Sequence, residues 1–402
     1  MKHWKKQTNF SKTYYSLGYF LPFLALFAFI LNEYMLFSLA VFILFVLVLN
    51  NYYLKYAINH IAISEEKIVK RIFPEDKIRF TIPFENRGSI PIFQVKAKFF
   101  LYFTDESVRV IESEDSTNYY SNFEHPFTLP KLTKRNIGMN LEAVKRGTAE
   151  LRTIEVDVYD LFKFIHIRLR YEGPFQGEVI VYPTPVRVKG LEKIIQLEKG
   201  DHPQPFSMYE DVMMIMGNRD YTSSDPFNRI NWKASARTDT LQTKLFEKVT
   251  VSHWTLVLNI RSDHNFAPTI PNLEKVLSQV TYACQLATKY QVSFEMYINL
   301  RVPGSSVGFH LPMNTTNNHL IKALEILARI RKSNITIPAE HMLNVVVKNL
   351  AHQNHPFILH FGPIDEEQSR LYERVKRVGG SVGIINTEEE DESSLHQVGG
   401  DR

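Results

Sequence analysis

The chain has 402 residues, 44% hydrophobic and 22% charged, with a formal net charge of +4. This describes folded globular material longer than one ordinary domain, so two soluble domains beside a further segment are expected. The modest charge argues against a dedicated nucleic-acid binder. The single cysteine, Cys284, excludes an intramolecular disulfide and fits a reducing compartment.

Residues 1–13 read as a basic tail, with Lys2, Lys5, Lys6 and Lys12 and no acid among them. Residues 14–54 read as two transmembrane helices. Tyr14 to Leu31 is apolar apart from Ser16, Gly18 and Pro22, and Met35 to Leu49 has only Ser38 as a polar residue and extends to Leu54. Each run supplies roughly 20 residues, enough to cross about 30 Å of hydrocarbon. One continuous helix would be about 60 Å long and would strand Glu33 at mid-depth, so a short hinge at Asn32 and Glu33 is expected instead. A cleaved signal peptide is disfavoured, because no small-x-small site follows the first run and a second begins at once. Buried soluble helices are disfavoured because both runs are apolar all round. Lys55, Lys67, Lys70 and Arg71 follow the second run, so basic residues flank both ends and place both termini and the soluble domains in the cytoplasm.

Residues 55–185 alternate with a period of two in segments such as Ile78–Ile82 and Phe93–Phe99, as half-buried strands do. Turn residues at Pro74–Asp76, Asn86–Ser89 and Lys145–Gly147 separate them, and a β-sandwich-like domain is expected. Glu112 to His125 reads as a surface loop. No catalytic constellation stands out here.

Residues 186–387 switch to strands alternating with helices. Trp254–Ile260, Val292–Leu300, Val307–Leu311, Phe357–Phe361 and Ser381–Ile385 read as strands. Leu273–Tyr290, Asn318–Arg331, Ala339–His352 and Glu366–Val378 read as helices. Such alternation means a mainly parallel sheet in an α/β domain. Residues 388–402, with Glu388 to Glu392 as a like-charge block, read as a disordered acidic tail.

One densely patterned stretch precedes the first of these strands. It contains Arg219, Asp220 and Tyr221, then Asp225, then Arg229 followed by Trp232, Lys233, Ser235 and Arg237, and closes on Phe246 and Glu247. Upstream stand Lys145-Arg146-Gly147, Asp157-Val158-Tyr159-Asp160-Leu161-Phe162 and Val181-Tyr182-Pro183-Thr184-Pro185. Together these resemble the family known as domain of unknown function 58, with its signature at 219–247. Thr222-Ser223-Ser224 and Asn231 depart from its usual pattern. The resemblance implies a hydrophobic hairpin, a β-rich domain and a doubly wound von Willebrand factor A-like domain. It also implies association with a MoxR-type AAA+ ATPase and a transglutaminase-like membrane protein.

Arg219, Arg229, Lys233 and Arg237 among Asp220, Asp225 and Glu247 can form an anion- or partner-binding surface, since guanidinium groups grip carboxylates bidentately. They can equally pair internally as a structural clasp, with Trp232 and Phe246 as core anchors. The Mg²⁺-binding Asp-x-Ser-x-Ser of von Willebrand factor A domains corresponds here to Asn259-Ile260-Arg261-Ser262-Asp263. Arg261 brings a positive charge to that position, so no metal is expected at Asn259, Arg261 and Asp263. His352 and His355 read as turn residues, and Cys284 as an inert core residue. No phosphate loop, Gly-x-Ser-x-Gly or His-Glu-x-x-His occurs, and no cofactor is expected.

The sequence therefore points to a membrane-tethered, non-enzymatic adaptor with the lipid bilayer and an ATPase as partners and no nucleic acid. The alternatives are a metal-dependent hydrolase using Asp225, Glu247 and Asp263, and a protein that binds anionic lipid through the basic residues of 55–71.

Overall fold

A computed structural model describes residues 3–64, 66–111, 120–192, 195, 210–222, 225–248, 253–262, 268–350, 357–377, 380–385 and 395–397. The chain divides into two compact units, Met1–Thr184 with Ala328–Arg331 and Pro185–Leu327 with Lys332–Arg402. The boundary at Thr184 falls within the Val181–Pro185 stretch.

The first unit opens with strand β1 (Trp4–Phe10), helix α1 (Lys12–Ile30) and helix α2 (Tyr34–His60). Both helices are long and apolar enough to cross a membrane by length and composition. Ser11 caps α1 by accepting the Tyr14 N–H at 3.1 Å. The chain reverses where Asn32 takes a left-handed conformation (φ 56°), which Asn tolerates better than most residues. Buried Ala25, Ala28 and Ala40 let the helices approach closely, while Tyr19, Phe23, Met35 and Phe42 leave their outer faces bare. The stretch read as a basic tail differs from that expectation. Trp4–Phe10 pairs antiparallel with β10 (Ile165–Tyr171), an edge strand whose Lys5 and Lys6 are exposed. Solvated lysines are compatible with an edge and disguise it as a tail.

The remaining strands are β2 (Ile61–Ile63), β3 (Lys67–Ile72), β4 (Lys77–Asn86), β5 (Ile92–Phe103), β6 (Val108–Val110), β7 (Tyr120–Leu129), β8 (Lys134–Ala143), β9 (Gly147–Tyr159) and β11 (Gln176–Val181). Seven strands, β1, β3, β5, β7, β9, β10 and β11, form one sheet, and β2-β4-β8-β6 form another. Their alternating inward residues share one core: Phe80, Ile82 and Phe84 of β4 and Met139 of β8 join Phe99, Leu101, Val156 and Leu169 from the larger sheet. Leu54, Ala57 and Ile58 enter the same core, so the end of α2 is part of the β-unit. Tyr120 to His125, read as loop, is strand, because its Ser121 and Phe123 bury on pairing with β5. Residues 112–119 lie outside the described residues.

The second unit contains β12 (Glu210–Asp220), a 3₁₀ turn (Phe227–Arg229), α3 (Trp232–Thr238), β13 (Gln242–Lys248), β14 (His253–Leu258), α4 (Leu273–Lys289), β15 (Ser293–Ile298), β16 (Phe309–Asn314), all but the last two residues of α5 (Asn317–Arg329), α6 (Ala339–Leu350), β17 (Phe357–Phe361), α7 (Glu366–Arg377), β18 (Ser381–Ile385) and β19 (Leu395–Gln397). Six strands run in the order β16-β15-β14-β17-β18-β19. The central pairs β14–β15, β14–β17 and β17–β18 are parallel, and the two outer pairs antiparallel. Val257, Tyr297 and Ile358 pack with Met342, Val346, Leu371 and Val375 of α6 and α7. β12 and β13 form a separate antiparallel ladder. Leu395–Gln397 of the acidic tail pairs with β18; the Glu388–Glu392 block lies outside the described residues, as do His352 and His355.

Candidate functional site

The signature divides into a closed half and a presented half. In the closed half, the Arg219 Nη2 donates to Asp225 Oδ1 at 2.6 Å. The other carboxylate oxygen accepts from the Thr222 N–H at 3.0 Å, the Thr222 hydroxyl at 3.0 Å and the Thr243 hydroxyl at 3.1 Å. These donors, the Arg219 guanidinium first, hold the Asp225 carboxyl well below the usual carboxylate range. The Asp225 side chain is only 11% exposed, against 43% for Arg219. Thr222 thus tethers the turn by hydrogen bonds. Any cation sought by Asp225 would meet a guanidinium already seated there.

The same ladder fastens α3. Asn231 caps it, its Oδ1 accepting the Ala234 N–H at 3.3 Å while its Nδ2 donates to Asn218 Oδ1 at 2.7 Å. An aspartate at this position could accept but could not make that second donation. The Ser235 hydroxyl donates to the Asn231 carbonyl at 2.9 Å and accepts the Gln242 N–H at 2.8 Å, bridging helix to strand. Tyr221 donates its N–H to the Leu241 carbonyl at 2.8 Å, and its ring lies 6.0 Å from that of Phe227. Asp220 accepts from Gln242 Nε2 at 2.6 Å.

The presented half is the outer surface of α3. Trp232 is 65% exposed, which reverses the expectation that it anchors a core: no residue of this two-turn helix is buried. Lys233 and Arg237 are exposed and stand four residues apart, on one helical face. Arg229, at the end of the 3₁₀ turn, is half-buried and partnered. The side chains of Phe246 and Glu247 lie outside the described residues.

The stretch from Asn259, compared in sequence with a metal-binding motif, is occupied by amides that pair with one another. Asn259 donates through Nδ2 to the Pro363 carbonyl at 2.8 Å, and its Oδ1 accepts from Asn299 Nδ2 at 2.8 Å and the Arg261 N–H at 3.2 Å. Asn299 in turn accepts the Ile260 N–H at 2.9 Å. This buried lattice ties the ends of β14, β15 and β17 together with neutral groups, and the exposed Arg261 side chain points to no role in it. Gly362 permits the closure: its φ is +104°, and a Cβ there would lie 1.9 Å from the Asn259 carbonyl oxygen. Asp263 lies outside the described residues, so the grouping of Asp225, Glu247 and Asp263 is not described. Among the described residues no cluster of His, Cys, Asp and Glu suits a metal ion.

Two further polar groups were missed by sequence reasoning. His360 is fully buried on β17; its Nε2 donates to the Pro363 carbonyl at 3.2 Å and its Nδ1 accepts the Tyr372 hydroxyl at 2.7 Å. Burial pushes its pKa down to about 4, so the ring is neutral. Glu295 of β15 accepts from Thr255 at 2.9 Å and meets His310 Nε2 at 3.0 Å, with the His310 ring stacked 4.1 Å from Tyr297. The period-two pattern could flag Thr255 and Glu295 as polar members of inward rows, but their partners come from other elements. Cys284 is buried, and desolvation raises its thiol pKa, as expected of an inert residue.

No family model matches the chain, and no curated protein matches it. Among solved structures, the chain is similar to the ASH/PapD-like domain 7 of human CEP192, with 16% identity over 30% of this chain and 84% of that one at a TM-score of 0.18. It is similar to a non-cellulosomal cohesin from the archaeon Archaeoglobus fulgidus, with 9% identity over 30% and 90% at 0.20. It is also similar to a chain of a type I cohesin–dockerin complex from Clostridium thermocellum, with 12% identity over 29% and 89% at 0.19.

Proposed function

We propose that the protein is a membrane-tethered, non-enzymatic adaptor that presents α3 of its signature to a cytosolic partner. The hairpin would cross the cell membrane twice and leave both termini and both units in the cytoplasm, the orientation favoured by Lys2 to Lys12 before it and Lys55 to Arg71 after it. The resemblance to the domain of unknown function 58 family supplies the partner, a MoxR-type AAA+ ATPase, and a transglutaminase-like membrane protein as co-worker. The task would be assembly or maturation of membrane or envelope-associated complexes. The mainly parallel sheet of the second unit suits the von Willebrand factor A-like architecture that the same resemblance implies.

One observation carries this reading: the side chains of Asn231 and Ser235 fasten α3 to Asn218 and Gln242 of its ladder, while Trp232, Lys233 and Arg237 on α3 itself are exposed. An exposed tryptophan beside two cations is the composition of a binding hot spot. The test is co-purification of the ATPase with full-length protein from detergent extracts. Trp232→Ala with Arg237→Ala is expected to abolish capture while leaving the clasp residues and the thermal unfolding profile unchanged. Equal capture by the folded variant would remove α3 as the docking element.

A further inference from the structure

The first unit is fastened to the hairpin at three successive levels of α2. Farthest from the apolar run, the Tyr56 hydroxyl accepts the Ser89 N–H at 2.9 Å. One turn nearer, the Tyr53 hydroxyl accepts the Phe93 N–H at 2.9 Å and donates to the Pro91 carbonyl at 3.1 Å. At the last level, directly after Leu49, the Asn50 side chain donates to buried Asp160 and accepts the Leu161 N–H at 3.3 Å. The same 160–164 loop holds the start of the other helix, because its Phe164 carbonyl accepts the Ser11 N–H at 2.9 Å.

These loops carry apolar side chains that the unit itself does not cover. Ile90 and Phe93 are 40% and 41% exposed, Leu161 and Phe162 47% and 51%. Scattered exposed apolar residues are ordinary; these four are gathered by hydrogen bonds at one end of the unit, around the two places where the hairpin enters it. Helix length fixes the depth of that end. If the hinge carboxylate of Glu33 stands at the far headgroups, about 30 Å of hydrocarbon at roughly 1.5 Å per residue ends near Tyr53 on α2. On α1 the same span ends near Ser11 and Lys12. Both helices give the level at which the loops attach.

We propose that Ile90, Phe93, Leu161 and Phe162 embed in the boundary of the bilayer that the hairpin crosses, so that the first unit stands on the membrane as a foot. Exposed Lys12 and Lys163 stand beside this foot, where their ammonium groups reach lipid phosphates while their stems stay among the acyl chains. The Asn50–Asp160 pair is enclosed by protein at that depth, which is how a membrane-level carboxylate is kept from lipid. The inference rests on the hairpin being a membrane span.

The test uses full-length protein in nanodiscs of phosphatidylcholine and phosphatidylglycerol, spin-labelled at single introduced cysteines; native Cys284 is buried. Labels at Phe93→Cys and Phe162→Cys are expected to relax more with oxygen than with a nickel chelate, as is a mid-helix label at Phe42→Cys. A label at Arg109→Cys, past the end of β5 and roughly 35 Å of strand from Ile92, is expected to show the reverse. Nickel-accessible labels at 93 and 162 with a lipid-buried label at 42 overturn the foot and leave the span standing. A nickel-accessible label at 42 overturns the span itself, and the foot with it. Should a label perturb the loop, Phe162→Trp replaces it, with quenching by brominated lipid expected and its absence counting against the foot.

Discussion

Replacing Asn50 with leucine probes the joint between helix and β-unit at its tightest point. The substitution keeps the volume and apolar character of the surrounding helix but removes the donor to Asp160 and the acceptor for the Leu161 N–H. Asn50 is 4% exposed and Asp160 fully buried, so water does not replace either partner. A hydrogen bond to a charged group contributes about 1.5–3 kcal/mol. At 1.4 kcal/mol per factor of ten, its loss should raise local opening of the 160–165 loop roughly tenfold to 150-fold. Hydrogen exchange with mass spectrometry on the full chain reads this directly, because local opening governs amide exchange. The peptide holding Leu161 and Ile165 should exchange faster by that factor, since the Ile165 N–H donates to Asp160 Oδ1 at 2.8 Å and depends on its placement. Strands β14 and β17 of the second unit should be unaffected. Unchanged exchange in 160–165 with the protein folded would refute the view that Asn50 holds the loop.

Two predictions concern pH. His360 has a folded pKa of about 4 against an ordinary 6.5, so the folded state binds the proton more weakly than the unfolded one. Its contribution is complete above pH 6.5 and is lost as pH falls toward 4, a loss of about 3 kcal/mol from the second unit; denaturant midpoints measured from pH 7 to 4 should flatten in His360→Gln. The Asp225 carboxyl is also depressed, below 3.8, but by donors to its charged form rather than by burial, so its stabilisation is complete above that value and fades only as pH falls through the lower folded one. Exchange at the Thr222 amide should stay protected at pH 4 in the wild type, whereas Asp225→Asn should lose that protection already at neutral pH.

The elements defined by strong periodicity were readable from the sequence. Phe357–Phe361 and Ser381–Ile385 are strands with the expected ends, and the chain turns at Asn32 and Glu33 because a carboxylate there separates two apolar runs. What escaped depended on partners far along the chain. Trp4–Phe10 looks like a tail because its lysines are solvated, and only β10, some 160 residues later, makes it a strand. Nothing near Asn50 in sequence explains a polar residue directly after the Met35–Leu49 run, since its partner is Asp160. Asn259 stands out in sequence as a polar residue at the end of an apolar strand, but the amide lattice it enters needs Asn299 and Pro363. For the signature, the pairing of Arg219 with Asp225 follows from their charges, whereas the exposure of Trp232 does not: a two-turn helix tied down through Asn231 and Ser235 has no need of its tryptophan as an anchor.

The adaptor reading stands or falls on what α3 touches in the cell. A photo-crosslinking amino acid placed at Arg237 of the full-length, membrane-inserted protein reports this without extraction, and the same group at Lys289, at the exposed end of α4, serves as control. The account predicts a crosslink from position 237 to the MoxR-type ATPase that Trp232→Ala abolishes and that position 289 does not form. Crosslinking to the ATPase from both positions alike, or from neither while the ATPase is present, would contradict it.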